Sequence, residues 1–236
     1  MKSKIILFEL NEVPYQVVDY YIKKFPSSNL AQMIENCHQW TTRTEDTGHL
    51  SPWVTWPTLH RGVNNEKHKL QEISQIPGPE GKKYPPIWEI LLDEGVRTGV
   101  FGSLGSYPLP KNIAEYSFYI PDTFARSPET HPAQCMPFQK LNLAMVKQSG
   151  RNVASGIPLT DAFEFLVHAN KLGIRSQTLA ECAKQITLEL FNERQKVRRR
   201  TFQSIIAFDI FYKLLEKNKP EFTSFFTNHV ASSMHR

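Results

Sequence analysis

Cysteine is scarce in this 236-residue chain: three residues, Cys37, Cys135 and Cys182, far apart, odd in number and without a CxxC pair. That usage points to a reducing compartment and argues against a thiolate metal site. Long apolar runs are missing too. The amino terminus MKSKIILFEL is apolar only from Ile5 to Phe8 before Glu9 interrupts it, short of the roughly 7–15 residues of a secretory signal core. No later stretch reaches the length of a membrane span. The expectation is a cytoplasmic protein without membrane partners. Walker, Rossmann and zinc-finger signatures are absent, as are internal repeats and low-complexity tracts.

What is present describes a globular domain. Hydrophobic residues make up 40%, aromatics 11% and charged residues 22%, a composition that excludes global disorder. The length suits one large domain or one domain with an elaborate insertion. The formal charge of +5 is a small bias toward anionic partners.

KIILFEL, Lys4 to Leu10, is a short β-branched and apolar run bounded by polar residues, the pattern of a buried strand. Val17 to Phe25 and Leu30 to Asn36 carry apolar residues at helical spacing, with Ser27, Ser28 and Asn29 as caps between them. PPIWEILLDEG then gives a helix with proline at its entry and Gly95 at its exit, and RTGVFG, Arg97 to Gly102, a second buried strand. Residues 103–136, rich in Pro, Gly, Ser and aromatics, read as long ordered loops. Helical patterns dominate from Phe138 to Lys217, including Thr160 to Lys171 and two segments from Ser176 onward. EFTSFFTN, Glu221 to Asn228, resumes the sheet. The alternation implies a mostly parallel sheet covered by helices.

The stretch SPWVTWPTLHRGV, Ser51 to Val63, crowds two tryptophans and two prolines around Thr55. Trp56-Pro57-Thr58-Leu59 reads as a first helical turn, which places Thr55 at or just before a helix N-terminus, where free N–H groups and the helix dipole favour an anion. A hydroxyl becomes a nucleophile there only with a base or a metal to hold its alkoxide. The competing reading of the same residues is that Thr55 is an N-cap.

The order and spacing of several segments resemble the type I phosphodiesterase and nucleotide pyrophosphatase branch of the alkaline phosphatase superfamily. They are the strand Lys4 to Asn11, Val54-Thr55-Trp56-Pro57 at the nucleophile, Arg61-Gly62-Val63, Glu66-Lys67-His68, and Pro85 to Pro108. The similarity covers about the first 110 residues and the last fifteen. It implies an α/β core, its sheet sandwiched by helices, over residues 1–136 and 221–236; the helical patterns between them read as a mainly helical insertion or cap over 137–220. It also implies divalent metal, usually two zinc ions, and a small anionic phosphate-containing substrate. Thr55 is then the nucleophile and a metal ligand, with Asn11 and His235 as further ligands. Paired cations would lower the nucleophile's pKa and neutralise the substrate, and oxygen and imidazole donors suit zinc. Trp53 and Trp56 would wall the site or anchor the nucleophile helix.

The chain departs from the family pattern at named positions. Asn11 stands where an aspartate is expected; its carbonyl can ligate a metal but without the anionic charge, so affinity should fall unless Glu9 or Glu12 beside it contributes. Ala231 occupies the aspartate position ahead of His235, and the family's later Asp-His pair and last histidine would lie on strands beyond Arg236. Two functions follow: a metal-dependent hydrolase or transferase of phosphate esters or diesters, or a non-catalytic relative serving as a binding or interaction protein. His60 and His68 read as structural. Asp46, Asp122 and Asp161 lack the spacing of a carboxylate dyad; Asp122, in FYIPDTFA, suits a helix cap or the lining of a substrate pocket, and the cap is the preferred reading. The basic run ERQKVRRR, Glu193 to Arg200, reads as a solvated helix face rather than a nucleic-acid site.

Overall fold

The structure, a computed structural model, describes residues 4–149 and 159–235. Residues 150–158, within the stretch read as a helical insertion, lie outside the described residues. Four strands form one all-parallel sheet: β1 (Ile5–Leu10), β2 (Thr98–Phe101), β3 (Phe118–Ile120) and β4 (Phe222–Thr227), in the order β1-β4-β2-β3. The three strands read from the sequence are there, shifted by a residue at their ends. The fourth, β3, lies inside the stretch read as loop.

Helices α1 (Tyr15–Lys24), α2 (Asn29–Asn36), α3 (Pro52–Arg61), α4 (Asn65–His68), α5 (Pro79–Lys83) and α6 (Ile87–Asp93) connect β1 to β2. Ser28 caps α2 by accepting from the Ala31 N–H. Helices α7 (Met136–Ser149), α8 (Leu159–Leu172), α9 (Ser176–Phe191) and α10 (Arg199–Asn218) connect β3 to β4, and α11 (His229–Met234) follows β4. Among the described residues no helix is long and apolar enough to cross a membrane.

The period-2 alternation of the strands divides the core in two. Register places Phe8, Phe225, Phe101 and Ile120 side by side on one face. There Phe225 meets Phe8 at 5.0 Å, Phe101 at 5.4 Å and Phe211 of α10 at 4.7 Å between ring centroids. Phe138 of α7, Phe165 and Leu172 of α8, and Ile210 and Leu214 of α10 complete this cluster. The helices of residues 137–220 are therefore the second layer of the core. On the opposite face Val100, Tyr119 and Leu7 pack with Trp88 of α6 and Tyr116. Gly99 is required at the heart of β2, because a Cβ there would lie 2.5 Å from the Phe118 ring.

One flank of the sheet stays open. Among the described residues β1 pairs only with β4. Ile5, Ile6, Phe8 and Leu10 are exposed, and α1 and α2 contain no buried residue.

Candidate functional site

All four strands end on the same edge, where loops of open α/β sheets form ligand crevices. Asn11 leaves β1 there, donates its N–H to the Thr227 carbonyl at 3.1 Å, and donates its amide nitrogen to Asn228 Oδ1 at 2.7 Å. Glu12 follows with φ of 51°, a left-handed conformation that costs a non-glycine residue of order 1 kcal/mol. That turn aims its carboxylate at α11. Glu12 Oε1 accepts from Asn11 at 3.4 Å, and Oε2 meets His235 Nε2 at 2.5 Å. Residues 223 positions apart are thus joined across the mouth of a cleft of about 360 Å³. Asn11, Glu12, Asn228, Ser232 and His235 supply its polar wall, and Pro52, Trp53, Leu104 and Phe124 its apolar one.

Helix α3 is fastened to β1 by two polar rungs. Glu9 and Asn11, two apart on a strand, are about 6.6 Å apart along it; Trp56 and His60, four apart on a helix, are about 6 Å apart. The periods match. Trp56 Nε1 donates to Asn11 Oδ1 at 2.8 Å, and His60 Nε2 lies 2.7 Å from Glu9 Oε1. His60 is wedged between Trp56 and Trp88, with centroids 5.8 and 4.8 Å away. Glu9 and His60 are almost wholly buried, and among the described residues Glu9 Oε2 and His60 Nδ1 have no hydrogen-bond partner. Of the two tryptophans, Trp56 anchors the helix and Trp53 walls the cleft, edge-on to Phe124 at 4.5 Å.

Thr55 is not at the helix start. Helix α3 begins at Pro52 with Ser51 as N-cap residue, a full turn earlier than the sequence suggests. Pro52 takes the N1 position that Pro57 was expected to hold, and Pro57 sits inside the helix at the cost of one backbone hydrogen bond. Thr55 is therefore in the second turn. Its backbone N–H bonds the Ser51 carbonyl at 3.0 Å and its hydroxyl donates to the same oxygen at 3.2 Å. Thr55 is neither an N-cap nor among the residues lining the cleft.

The donors that the resemblance implies fit a two-metal centre poorly. Asn11 and His235 reach one cleft, but Thr55 is committed to its own helix and the Asn11 carbonyl oxygen receives the Trp56 N–H. Glu12, adjacent to both Asn11 and His235, is the one carboxylate lining the cleft; Glu9 faces His60 instead. Among the described residues no group of three or more His, Cys, Asp or Glu is placed to hold a metal ion.

A second polar cluster lies beneath α3. Leu70 N–H donates to His68 Nδ1 at 3.0 Å, so the ring proton sits on Nε2 and points at Thr58 Oγ1, 2.9 Å away. The Thr58 hydroxyl in turn lies 2.7 Å from Asp46 Oδ1 and donates to it. Burial, and then Arg61, push the pKa of His68 down against the pull of Asp46. Burial works against the Asp46 carboxylate, but hydrogen bonds from Thr44, Thr58 and the Asn65 N–H outweigh it and hold its pKa below the ordinary value. The direction of this chain, imidazole to hydroxyl to carboxylate, is opposite to what a general base needs. It ties the loop around Asp46 to α3 and α4.

Asp122, two residues past the end of β3, is buried, its Oδ1 accepting from the Phe124 N–H at 2.8 Å and its Oδ2 from the Gly105 N–H at 3.1 Å. It caps no helix; it clamps the two loops that present Leu104 and Phe124 to the cleft. Burial pushes its pKa up to about 6 against those backbone donors. No family model, curated protein or solved structure matches this chain.

Proposed function

We propose that this chain is a non-catalytic member of the alkaline phosphatase superfamily, a cytoplasmic binding protein that takes a small phosphate-bearing molecule in the carboxyl-edge cleft. The observation that carries this reading is the Thr55 hydroxyl, donated to the Ser51 carbonyl within α3, with Thr55 not among the residues that line the cleft. A nucleophile needs its oxygen free to approach phosphorus. The cleft offers His235, Ser232 and Asn228 as polar partners for the phosphate and Trp53, Phe124 and Leu104 as an apolar seat for a ring. Three thiols, none in a disulfide, are in keeping with the cytoplasm.

The hydrolase reading retains one favourable observation: Asn11, Glu12 and His235 converge at the sheet edge where the family's chemistry takes place. One pair of measurements separates the two readings. Calorimetric titration with phenyl phosphate should show one site per chain, weakened by Trp53→Ala and unaffected by Thr55→Ala. Assays of bis(4-nitrophenyl) phosphate, with and without added zinc, should show no turnover above background. Turnover that disappears in Thr55→Ala would establish the enzyme instead.

A further inference from the structure

A second concavity, sharing no lining residue with the cleft, opens between α7, α9 and α10. Its volume of about 440 Å³ falls within the ~300–1,000 Å³ of small-molecule sites. Leu141 and Met145 of α7, Ile186 of α9, and Phe202 and Ile206 of α10 make its walls apolar. Apolar cavities of this kind take organic guests more readily than ordered water.

One end is polar and built. Arg199 holds Glu189 through Nε at 2.8 Å and Nη2 at 2.7 Å, both to Oε2, while Gln185 donates to Glu189 Oε1 at 3.0 Å and to the Gln195 carbonyl at 2.7 Å. Gln185 is buried, and among the described residues its Oε1 has no hydrogen-bond partner. The Arg199 side chain is half exposed at the mouth. Around it the run after α9 places Arg194, Lys196, Arg198 and Arg199 against Glu189 and Glu193, a local excess of positive charge. This is the basic run read from the sequence as a solvated helix face. In the structure it is a 3-10 segment, Glu193–Arg198, leading into α10; Glu193, Arg194, Lys196 and Arg198 are exposed there, and Arg199, the first residue of α10, is the member of the run that lines the pocket.

We propose that this pocket is a second ligand site, for a medium-chain carboxylate of roughly eight to twelve carbons, sized to the volume range of such sites. The alkyl chain lies among Met145, Ile186, Phe202 and Ile206, and the carboxylate meets the Arg199 guanidinium, whose planar fork suits carboxylate oxygens. The apolar length selects an amphiphile, and the half-exposed Arg199 guanidinium selects its charge.

The test is displacement of a dansyl-undecanoate probe from the full chain by octanoate, decanoate, dodecanoate and dodecanol. Single-site binding should tighten about fourfold per added methylene, and Arg199→Gln should weaken dodecanoate about tenfold while leaving dodecanol unchanged. Ile186→Trp, at a position 62% exposed and so tolerant of bulk, should obstruct the pocket and abolish probe binding without altering phenyl phosphate binding in the cleft. Met145→Trp serves as a second obstructing variant. Dodecanoate binding that survives both obstructing variants, that ignores Arg199→Gln, or that never saturates overturns the proposal.

Discussion

Replacing Asp122 by asparagine gives a measurable pH signature. Its carboxylate sits 4% exposed among the loops behind the cleft, and burial lifts its pKa to about 6 from an ordinary 3.8. Because the folded pKa is the higher of the two, the native state binds the proton more tightly than the unfolded chain. Asp122 therefore stabilises the fold fully below pH ~3.8, and that contribution is lost as pH rises through about 6. At ~1.36 kcal/mol per pH unit, the interval is worth about 3 kcal/mol, most of it lost between pH 4 and pH 6. Asparagine does not titrate. Urea unfolding of both proteins at a series of pH values from 4 to 8 should show the stability of Asp122→Asn relative to wild type rising by about 2 kcal/mol across the series. Any constant offset from the altered bond to the Gly105 N–H cancels in that comparison. A difference flat to within ~0.5 kcal/mol would refute the assignment, because a carboxylate that titrates alike in both states contributes no pH dependence.

Four further outcomes follow from the contacts described. Thr55→Ala should change stability by less than about 1 kcal/mol, since a hydroxyl bonded back along its own helix adds little to the fold; thermal unfolding measures it. Asn11→Ala removes the acceptor of the Trp56 N–H and the donor to the exposed Asn228 side-chain oxygen, and should cost about 1–3 kcal/mol, mostly through the indole, read by urea unfolding. Phe225→Ala empties the contact point of four aromatic rings and should cost about 3–5 kcal/mol in the same experiment. Glu12→Gln removes the negative charge beside His235 and should tighten phenyl phosphate binding severalfold; weaker binding would instead mark Glu12 as a cation ligand.

Much of the fold was legible because its periodicities are local. The strands Ile5–Leu10 and Phe222–Thr227 are apolar runs bounded by polar residues, and the helices from Leu159 to Asn218 carry their spacing over many turns. Strand β3 was hidden because three residues, Phe118–Ile120, give no period; its place is decided by Phe118 closing over Gly99, a contact that no window of sequence displays. The start of α3 was misread for a related reason. Pro52 and Pro57 both suit a first turn, and what selects Pro52 is the match of Trp56 and His60 to Asn11 and Glu9, more than forty positions away. Asp122 was read as a cap and does cap backbone N–H groups, but those of loops. The chain His68–Thr58–Asp46 went unseen because its members meet only once α3, α4 and the preceding loop are packed.

The open flank of the sheet bears on how the protein behaves at high concentration. With Ile5 and Asn11 donating toward β4, the alternating amides of Ile6, Phe8 and Leu10 face outward. Between Ile5 and Leu10 there is no proline, no lysine and no bulge, and the one charge, Glu9, is turned inward to His60. Of the devices that natural edge strands use against pairing, this stretch carries only that inward charge. An extended segment of another polypeptide can therefore extend the sheet by one strand, and warming or sulfate, which strengthen apolar association, should favour such growth. A single lysine at Ile6, on the unpaired rim, would be the smallest change expected to keep the chain monodisperse.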